Sequence, residues 1–432
     1  SKENILDAAL KTNADAIHPG YGFLAENDQF AKKIIDSGIV WIGPTPETII
    51  SMGNKETARA LAAESGVPIC PGINQNELEE GLEEKCKTIG FPILVKASAG
   101  GGGIGMQIAK DYNQLKEVIE KTKNLAGKAF GNSDIFLEKY IANARHIEIQ
   151  IFGYGEKKAI HLYERDCSLQ RRFQKIIEES PAPNIERETI NQMSECAVNF
   201  SSNQKYEGAG TMEFVYDVDN KKFYFLEMNT RLQVEHPVTE LVLDLDLVEQ
   251  MIKIAAKQRL SIKQSCINLN GWAIEARIYA EDPLHGFMPS TGRINSFLSP
   301  VIEKNNEIKI RLDSGVHEGS EVSMYYDPMM AKLVTHGKNR ENARKNLSNA
   351  LDLFVLDGIS TNISFLNNVL NNKVFISGNI NTSFIDQEYK SAFLGNEVNN
   401  EVKLIVAIAS VCLKAIEVKR QMYVGEKKNG NF

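Results

Sequence analysis

From Glu227 to Glu235 the chain alternates. Glu227, Asn229, Arg231, Gln233 and Glu235 are polar, and the residues between them, Met228, Thr230, Leu232 and Val234, are mostly apolar. In an extended strand successive side chains point to opposite faces, so the five polar groups would share one face. A half-buried strand with a solvated side is the ordinary meaning of such a run. These polar residues are the wrong kind for it, because Asn and Glu are poor strand residues and a wet face carries Thr and Lys more naturally. Two carboxylates, two amides and a guanidinium suit a divalent metal and an anion. A straight strand from Glu227 to Glu235 would span roughly 26 Å, beyond the reach of one ion. The expectation is a division of labour, with Glu227 and Asn229 at a metal and Arg231 to Glu235 at an anionic reactant further along.

Ile93 to Ala109 reads ILVKASAGGGGIGMQIA, an apolar run, a glycine-rich loop and a second apolar run from Met106. Glycines let backbone amides approach and wrap phosphate oxygens. A Walker loop needs Gly-Lys-Ser/Thr leading into a helix, and a dinucleotide fold needs GxGxxG at a helix start. Neither is present. A hairpin flap closing on a triphosphate remains, with Lys96 as a phosphate-directed cation and a helix opening near Asp111.

These two segments, together with HPGYGFLAEN (18–27) and RDCSLQRRFQKIIEE (165–179), resemble the biotin carboxylase component of biotin-dependent carboxylases, and the resemblance runs through nearly the whole chain. Within that family, DSGV (313–316), YYDPM (325–329) and the tail around 404–410 are most similar to α subunits of propionyl-CoA or acyl-CoA carboxylases. The resemblance implies an α/β ATP-grasp fold preceded by an N-terminally incomplete parallel α/β domain. It implies ATP, Mg²⁺ or Mn²⁺ (two ions), and biotin on a carrier domain not attached to this chain. Lys55 and Lys96 would hold ATP phosphates under the flap glycines Gly101, Gly102 and Gly103. Glu138, Lys139 and Ile141 would receive adenine through side chain and backbone, with His146 and Gln170 nearby. Glu213, Glu227 and Asn229 would hold the metal. Lys175, Arg231, Gln233 and the Val234 backbone would cradle bicarbonate, with Tyr21 and Arg277 on the biotin side. Glu235 would take the proton of bicarbonate as it attacks the γ-phosphate, and Arg277 would stabilise the biotin enolate. Implied partners are a biotin carboxyl carrier domain, a carboxyltransferase subunit and further copies in a homo- or hetero-oligomer, in the bacterial cytoplasm or the mitochondrial matrix.

Three positions depart from the family pattern. Ile104 stands where relatives carry Arg or Lys, and Phe173 where some have His or Asn. Lys332, in MMAKL (329–333), echoes a biotin-accepting lysine without the Met-Lys-Met pattern and reads as structural. Two rivals come from other classes: another ATP-grasp ligase, indifferent to biotin, and a non-catalytic nucleotide-binding module. The Arg231, Gln233, Glu235 and Arg277 set speaks against both. The biotin carboxylase domain of pyruvate carboxylase is the nearest alternative within the family.

Composition excludes other classes. A net charge of −7 argues against a general nucleic-acid surface. Arg165, Arg171 and Arg172 are followed at once by Glu178 and Glu179, so no basic patch is expected there. Six cysteines contain no CxxC pair, which fits a reducing compartment and no zinc site. The apolar run Leu404 to Leu413 is short of the ~20 residues a membrane span needs and reads as a packing helix. The chain opens inside an αβ alternation, with Ser1 as a helix cap, Ile5, Leu6, Ala9 and Leu10 on one face, and a strand near Ala14 to Ile17. An isolated 1–432 fragment is therefore expected to expose a sheet edge and be poorly soluble. The expected organisation is a partial N-terminal α/β domain (1–66), the flap domain (67–140), a central domain with the metal and bicarbonate residues (141–270), a C-terminal domain (271–389) and a connector (390–432).

Overall fold

Alternation carries the largest sheet. In Ala144–Tyr154, Ile147, Ile149 and Ile151 are buried with Met193, Ala197 and Phe200 of the helix Arg187–Asn203, which leaves His146, Glu148 and Gln150 for the other face. The computed structural model describes residues 1–78, 81–98, 106–258, 262–300, 309–389, 393 and 400–428. The sheet has eight strands, in the order Lys222–Asn229, Glu207–Asp217, Ala144–Tyr154, Ala159–Arg171, Gln174–Ser180, Trp272–Tyr279, Met329–Gly337 and Lys309–Ser314. Every neighbouring pair is antiparallel, so the sheet passes without a break from the strands before residue 270 to those after it.

The flap strands Ile93–Ala97 and Met106–Ala109 pair antiparallel, and Ile135–Lys139 and Gly72–Ile73 complete a four-stranded sheet. Ile93, Val95, Ile135 and Leu137 pack against Leu115 and Ile119 of the helix Tyr112–Phe130, which Asp111 caps by accepting from the Gln114 N–H at 3.0 Å. Gly101, Gly102, Gly103 and Ile104 lie outside the described residues. The only parallel pairing among the described residues' strands is Ala16–Ile17 with Val40–Trp41. Thr45 caps the helix Pro46–Gly53, as its cap, first-turn proline and acidic first turn imply.

Two terminal expectations need correction. Ser1 occupies the N-cap of Lys2–Lys11, but its hydroxyl donates to Glu3, and Ile5 and Leu10 of the expected apolar face are exposed. The run 404–413 lies in the helix Asn400–Lys428, yet Leu404, Ile405, Val406, Ile408, Val411 and Leu413 stay exposed and do not pack. Their apolar residues are consecutive and circle the helix, so no single stripe faces a neighbour. No helix among the described residues is long and apolar enough to cross a membrane.

Candidate active site

The registers of four neighbouring strands set one row of charge: Glu227 opposes Glu213, Glu213 opposes Glu148, and Glu148 opposes Arg165. Like charges directly opposite one another on a sheet repel. Cations relieve them here. The Lys175 ammonium reaches the Glu148 carboxylate and lies 3.2 Å from Glu213 Oε1 and 2.7 Å from Glu235 Oε1. His146 Nε2 is 2.8 Å from Glu213 Oε2, and its Nδ1 is 2.7 Å from Gln170 Nε2. Burial alone would raise Glu213, but Lys175 and His146 outweigh it and hold it below the usual carboxylate range. Burial wins at Glu148, which is pushed up to about 7 against the pull of Lys175.

The alternating run does not continue as a strand. The strand ends at Asn229, residues 230–235 turn back, and Glu235 becomes the N-cap of the helix His236–Leu243. The 26 Å separation is therefore replaced by one constellation. Gln233 Nε2 donates to Glu213 Oε1 at 2.8 Å, and Arg231 Nη2 to Asn229 Oδ1 at 3.1 Å. Pro237 sits in the first turn of that helix, where its fixed φ suits a helix start. Glu26 anchors the loop, accepting from the Thr230 N–H at 3.0 Å and from Arg231 Nε at 2.9 Å. Lys332, itself buried, donates to the Val234 carbonyl and lies 5.5 Å from the Tyr21 ring centroid.

Glu235 is held from both sides, by Lys175 and by Arg277 Nη2 at 2.9 Å, while Arg277 Nε donates to Glu178 at 2.6 Å. Burial would raise the Glu235 carboxyl, but Lys175, Arg277 and Arg165 hold it well below its ordinary value. It is ionised at neutral pH.

As candidate metal ligands, Glu213 and Glu227 are bridged by Asn229, whose Nδ2 is 2.8 Å from Glu213 Oε1 and 3.5 Å from Glu227 Oε1. Burial, then the charge of Glu213, raises Glu227. Two facing carboxylates whose repulsion a cation would cancel make an oxygen donor set suited to a hard divalent ion. Asn229 turns its oxygen to Arg231, so that oxygen reaches an ion only if the amide turns over. His146, Glu148 and Glu213 also bring ligand atoms within 4.8 Å of one another.

On the flap side, Lys96 and Arg59 converge on the Glu138 carboxylate. Glu138 is thus a brace between two cations, not a free acceptor. Arg59 lies one turn beyond Lys55 on the helix Lys55–Glu64, and sequence reasoning missed it. The Lys139 N–H is bonded to the Pro71 carbonyl at 2.9 Å, and Tyr140 N–H to Pro92 at 3.0 Å, which fixes the path leading to Ile141. A cleft of about 620 Å³ takes in Glu26, Asn54, Lys55 and Ser98 but none of the carboxylate row. Arg165 is wholly buried and Arg171 is paired with Glu281 at 2.7 Å, so no arginine patch forms. Phe173 is exposed at the tip of the hairpin between Ala159–Arg171 and Gln174–Ser180, where Arg172 and Phe173 both have positive φ.

Residues 1–49 match the family described as biotin carboxylase, N-terminal domain. Residues 54–263 match the carbamoyl-phosphate synthase L chain, ATP binding domain, and 275–387 the biotin carboxylase C-terminal domain. The chain is 44% identical over 386 residues to biotin carboxylase 1 of Bacillus subtilis, covering 89% of this chain and 84% of that protein. It is 43% identical to the propionyl-CoA carboxylase alpha chain of Ruegeria pomeroyi, covering 99% of this chain and spanning 65% of that relative's length. Its structure resembles the biotin carboxylase domain dimer of 2-oxoglutarate carboxylase from Hydrogenobacter thermophilus, solved in complex with the magnesium salt of ADP, ADP and bicarbonate. The TM-score is 0.83 at 42% identity, over 89% of this chain and 84% of that one.

Proposed function

This chain belongs to the biotin carboxylase family, ATP-dependent ligases of ATP-grasp fold, and from that premise we propose that it couples ATP cleavage to bicarbonate activation and passes the carboxyl group to biotin on a carrier domain. One observation carries the reading: the Glu235 carboxylate is gripped by Lys175 at 2.7 Å and Arg277 at 2.9 Å beside the Glu213–Gln233 contact. Those donors suit an anion, and the carboxylate suits its proton.

Lys55 and Lys96 hold the ATP phosphates under the flap glycines 101–103, and Glu138 orients Lys96. Lys139 and Ile141 meet the base through their backbone, with His146 and Gln170 beside the nucleotide. Glu213, Glu227 and Asn229 would hold Mg²⁺ or Mn²⁺, one or two ions, which when bound offset the phosphate charge. Lys175, Arg231, Gln233 and the Val234 N–H bind bicarbonate. As the anion draws on Lys175 and Arg277, Glu235 regains basicity and takes the bicarbonate proton during attack on the γ-phosphoryl group. Carboxyphosphate then splits into carbon dioxide and phosphate, and the released phosphate takes the ureido N–H proton of biotin, whose nitrogen attacks the carbon dioxide. Arg277, always protonated, offsets the negative charge on the ureido oxygen of biotin, with Tyr21 on the same side. The carrier, a carboxyltransferase subunit and an acyl-CoA acceptor, propionyl- or acetyl-CoA, complete the assembly, an oligomer placed in the cytoplasm or the mitochondrial matrix. For the domains we propose the divisions near residues 66, 140, 270 and 389; the flap segment's own apolar cluster supports the second unit, while residues 52–67 pack on the central sheet and that sheet runs across 270.

The test is phosphate release from Mg-ATP with and without bicarbonate, and with added free biotin. ATP cleavage should require bicarbonate and rise with biotin. Equal turnover in bicarbonate-free buffer would reject the reading. Arg277→Lys should cost biotin carboxylation at least about tenfold more than bicarbonate-dependent ATP cleavage, since lysine keeps the charge and loses the forked donor.

A further inference from the structure

Arg165 makes no contact with solvent and spends its whole guanidinium inside the sheet. Nε and Nη2 donate to Glu148 Oε2 at 3.2 and 3.1 Å. Nη1 donates to Gln150 Oε1 at 2.6 Å and Thr239 Oγ1 at 3.1 Å. Nη2 also donates to Thr211 Oγ1 at 3.1 Å and to Gln233 Oε1 at 2.6 Å. The last contact has a chemical consequence for the anion subsite.

A glutamine amide presents oxygen at one end and N–H at the other, and nothing in the side chain itself chooses which end faces a ligand. A guanidinium has donors only, so the Gln233 end facing Arg165 has to be the oxygen. The other end meets the acceptor-only Glu213 carboxylate, with Nε2 donating at 2.8 Å. Turning the amide over would set N–H against guanidinium and oxygen against carboxylate, two repulsions at once. Gln150 is oriented by the same guanidinium, its Nε2 passing to the Gly210 carbonyl at 2.9 Å, so the fork is fixed on both sides. We propose that Arg165 is a positioning residue for bicarbonate: it locks the Gln233 amide so that an N–H donor, never the oxygen, faces the bound anion. The proposal rests on the reading that Gln233 meets bicarbonate. A lysine at 165 would carry the charge without the fork, and one ammonium cannot span Gln150 and Gln233 while holding Glu148.

The test uses bicarbonate-dependent ATP cleavage by the full chain. Wild type without bicarbonate dependence would overturn the functional reading and the proposal with it. Given that dependence, Arg165→Lys should raise the KM for bicarbonate about tenfold, the scale of one charged hydrogen bond, with the KM for ATP within about twofold. In a Gln233→Ala background Arg165→Lys should move the bicarbonate KM less than about twofold, because coupled residues are non-additive. Full additivity, or equal rises in both KM values, would show that Arg165 is only a buried counter-ion and overturn the proposal. Should Arg165→Lys fail to fold, Gln150→Met decides: it frees the other arm of the Arg165 fork without adding charge or touching the anion subsite. A bicarbonate KM raised about tenfold or more supports the locked donor, and an unchanged KM overturns it.

Discussion

The two banks of the site solve opposite electrostatic problems. On the central sheet three buried carboxylates, Glu148, Glu213 and Glu235, crowd around Lys175 with the half-buried Glu227 opposite Glu213, and Arg165 and Arg277 offset part of their charge. On the flap side three cations, Lys55, Arg59 and Lys96, gather about one carboxylate, Glu138. Burial, with Lys96 close by and opposed by Glu227, lowers the Lys55 ammonium. Each bank is short of the opposite charge. The acidic one suits a cation and the basic one a polyphosphate, and an ion joined to a nucleotide satisfies both. The opposite excess of charge on the two banks teaches more than either motif alone.

If the banks divide the work, their variants should fail in different parameters. The largest expected effect is at Glu235. Glu235→Gln keeps the shape and removes the basic oxygen, so kcat for bicarbonate-dependent ATP cleavage should fall by about 10²–10⁴-fold, while ATP affinity barely changes. An ATP Kd that rises as far as kcat falls would mean that Glu235 serves the nucleotide and the banks are not separate.

Next in size is Lys96→Met on the basic bank. Loss of one charged contact to phosphate is worth about 1.5–3 kcal/mol, so the KM for ATP should rise about tenfold or more. The KM for bicarbonate should stay put. Titrating each substrate against the other fixed at saturation measures both, and a matching rise in the bicarbonate KM would merge the banks into one.

Much of this was legible in the sequence, and the gaps have physical causes. The glycine flap's flanking strands and the Asp111 and Thr45 caps rest on local patterns a few residues long, and each stands where the pattern put it. The alternation from Glu227 misled beyond Asn229, because period two in a sequence does not by itself keep a chain extended, and residues 230–235 turn back into a helix with Pro237 in its first turn. Arg59, Glu26, Glu148 and Lys332 carried no signal of their own as partners. Arg59 meets Glu138 across 79 positions, and Glu26 meets Arg231 across 205. Such pairings are made by the packing of distant segments, which no short window contains.

The last effect leaves activity aside and is one of stability, at the far edge of the acidic bank. Glu275 is wholly buried on Trp272–Tyr279, two residues before Arg277 and opposite Glu178, and neither of its oxygens has a hydrogen-bond partner among the described residues. Burial, opposed by Lys332 and reinforced by Glu178, pushes its carboxyl from 4.5 up to about 8. A carboxyl that holds its proton more tightly when folded contributes stability below its unfolded value and loses it as pH rises through the folded one, here from about pH 4.5 to about 8. Each tenfold difference in proton affinity is worth about 1.4 kcal/mol, so the loss should reach a few kcal/mol. Glu275→Gln resembles the protonated acid and cannot ionise. Its denaturant midpoint should therefore fall less than that of wild type between pH 5 and pH 8.5, whatever its absolute stability. Parallel pH profiles for the two proteins would show that Glu275 is ionised in the folded state, and that the acidic bank extends one carboxylate further across the sheet than its hydrogen bonds indicate.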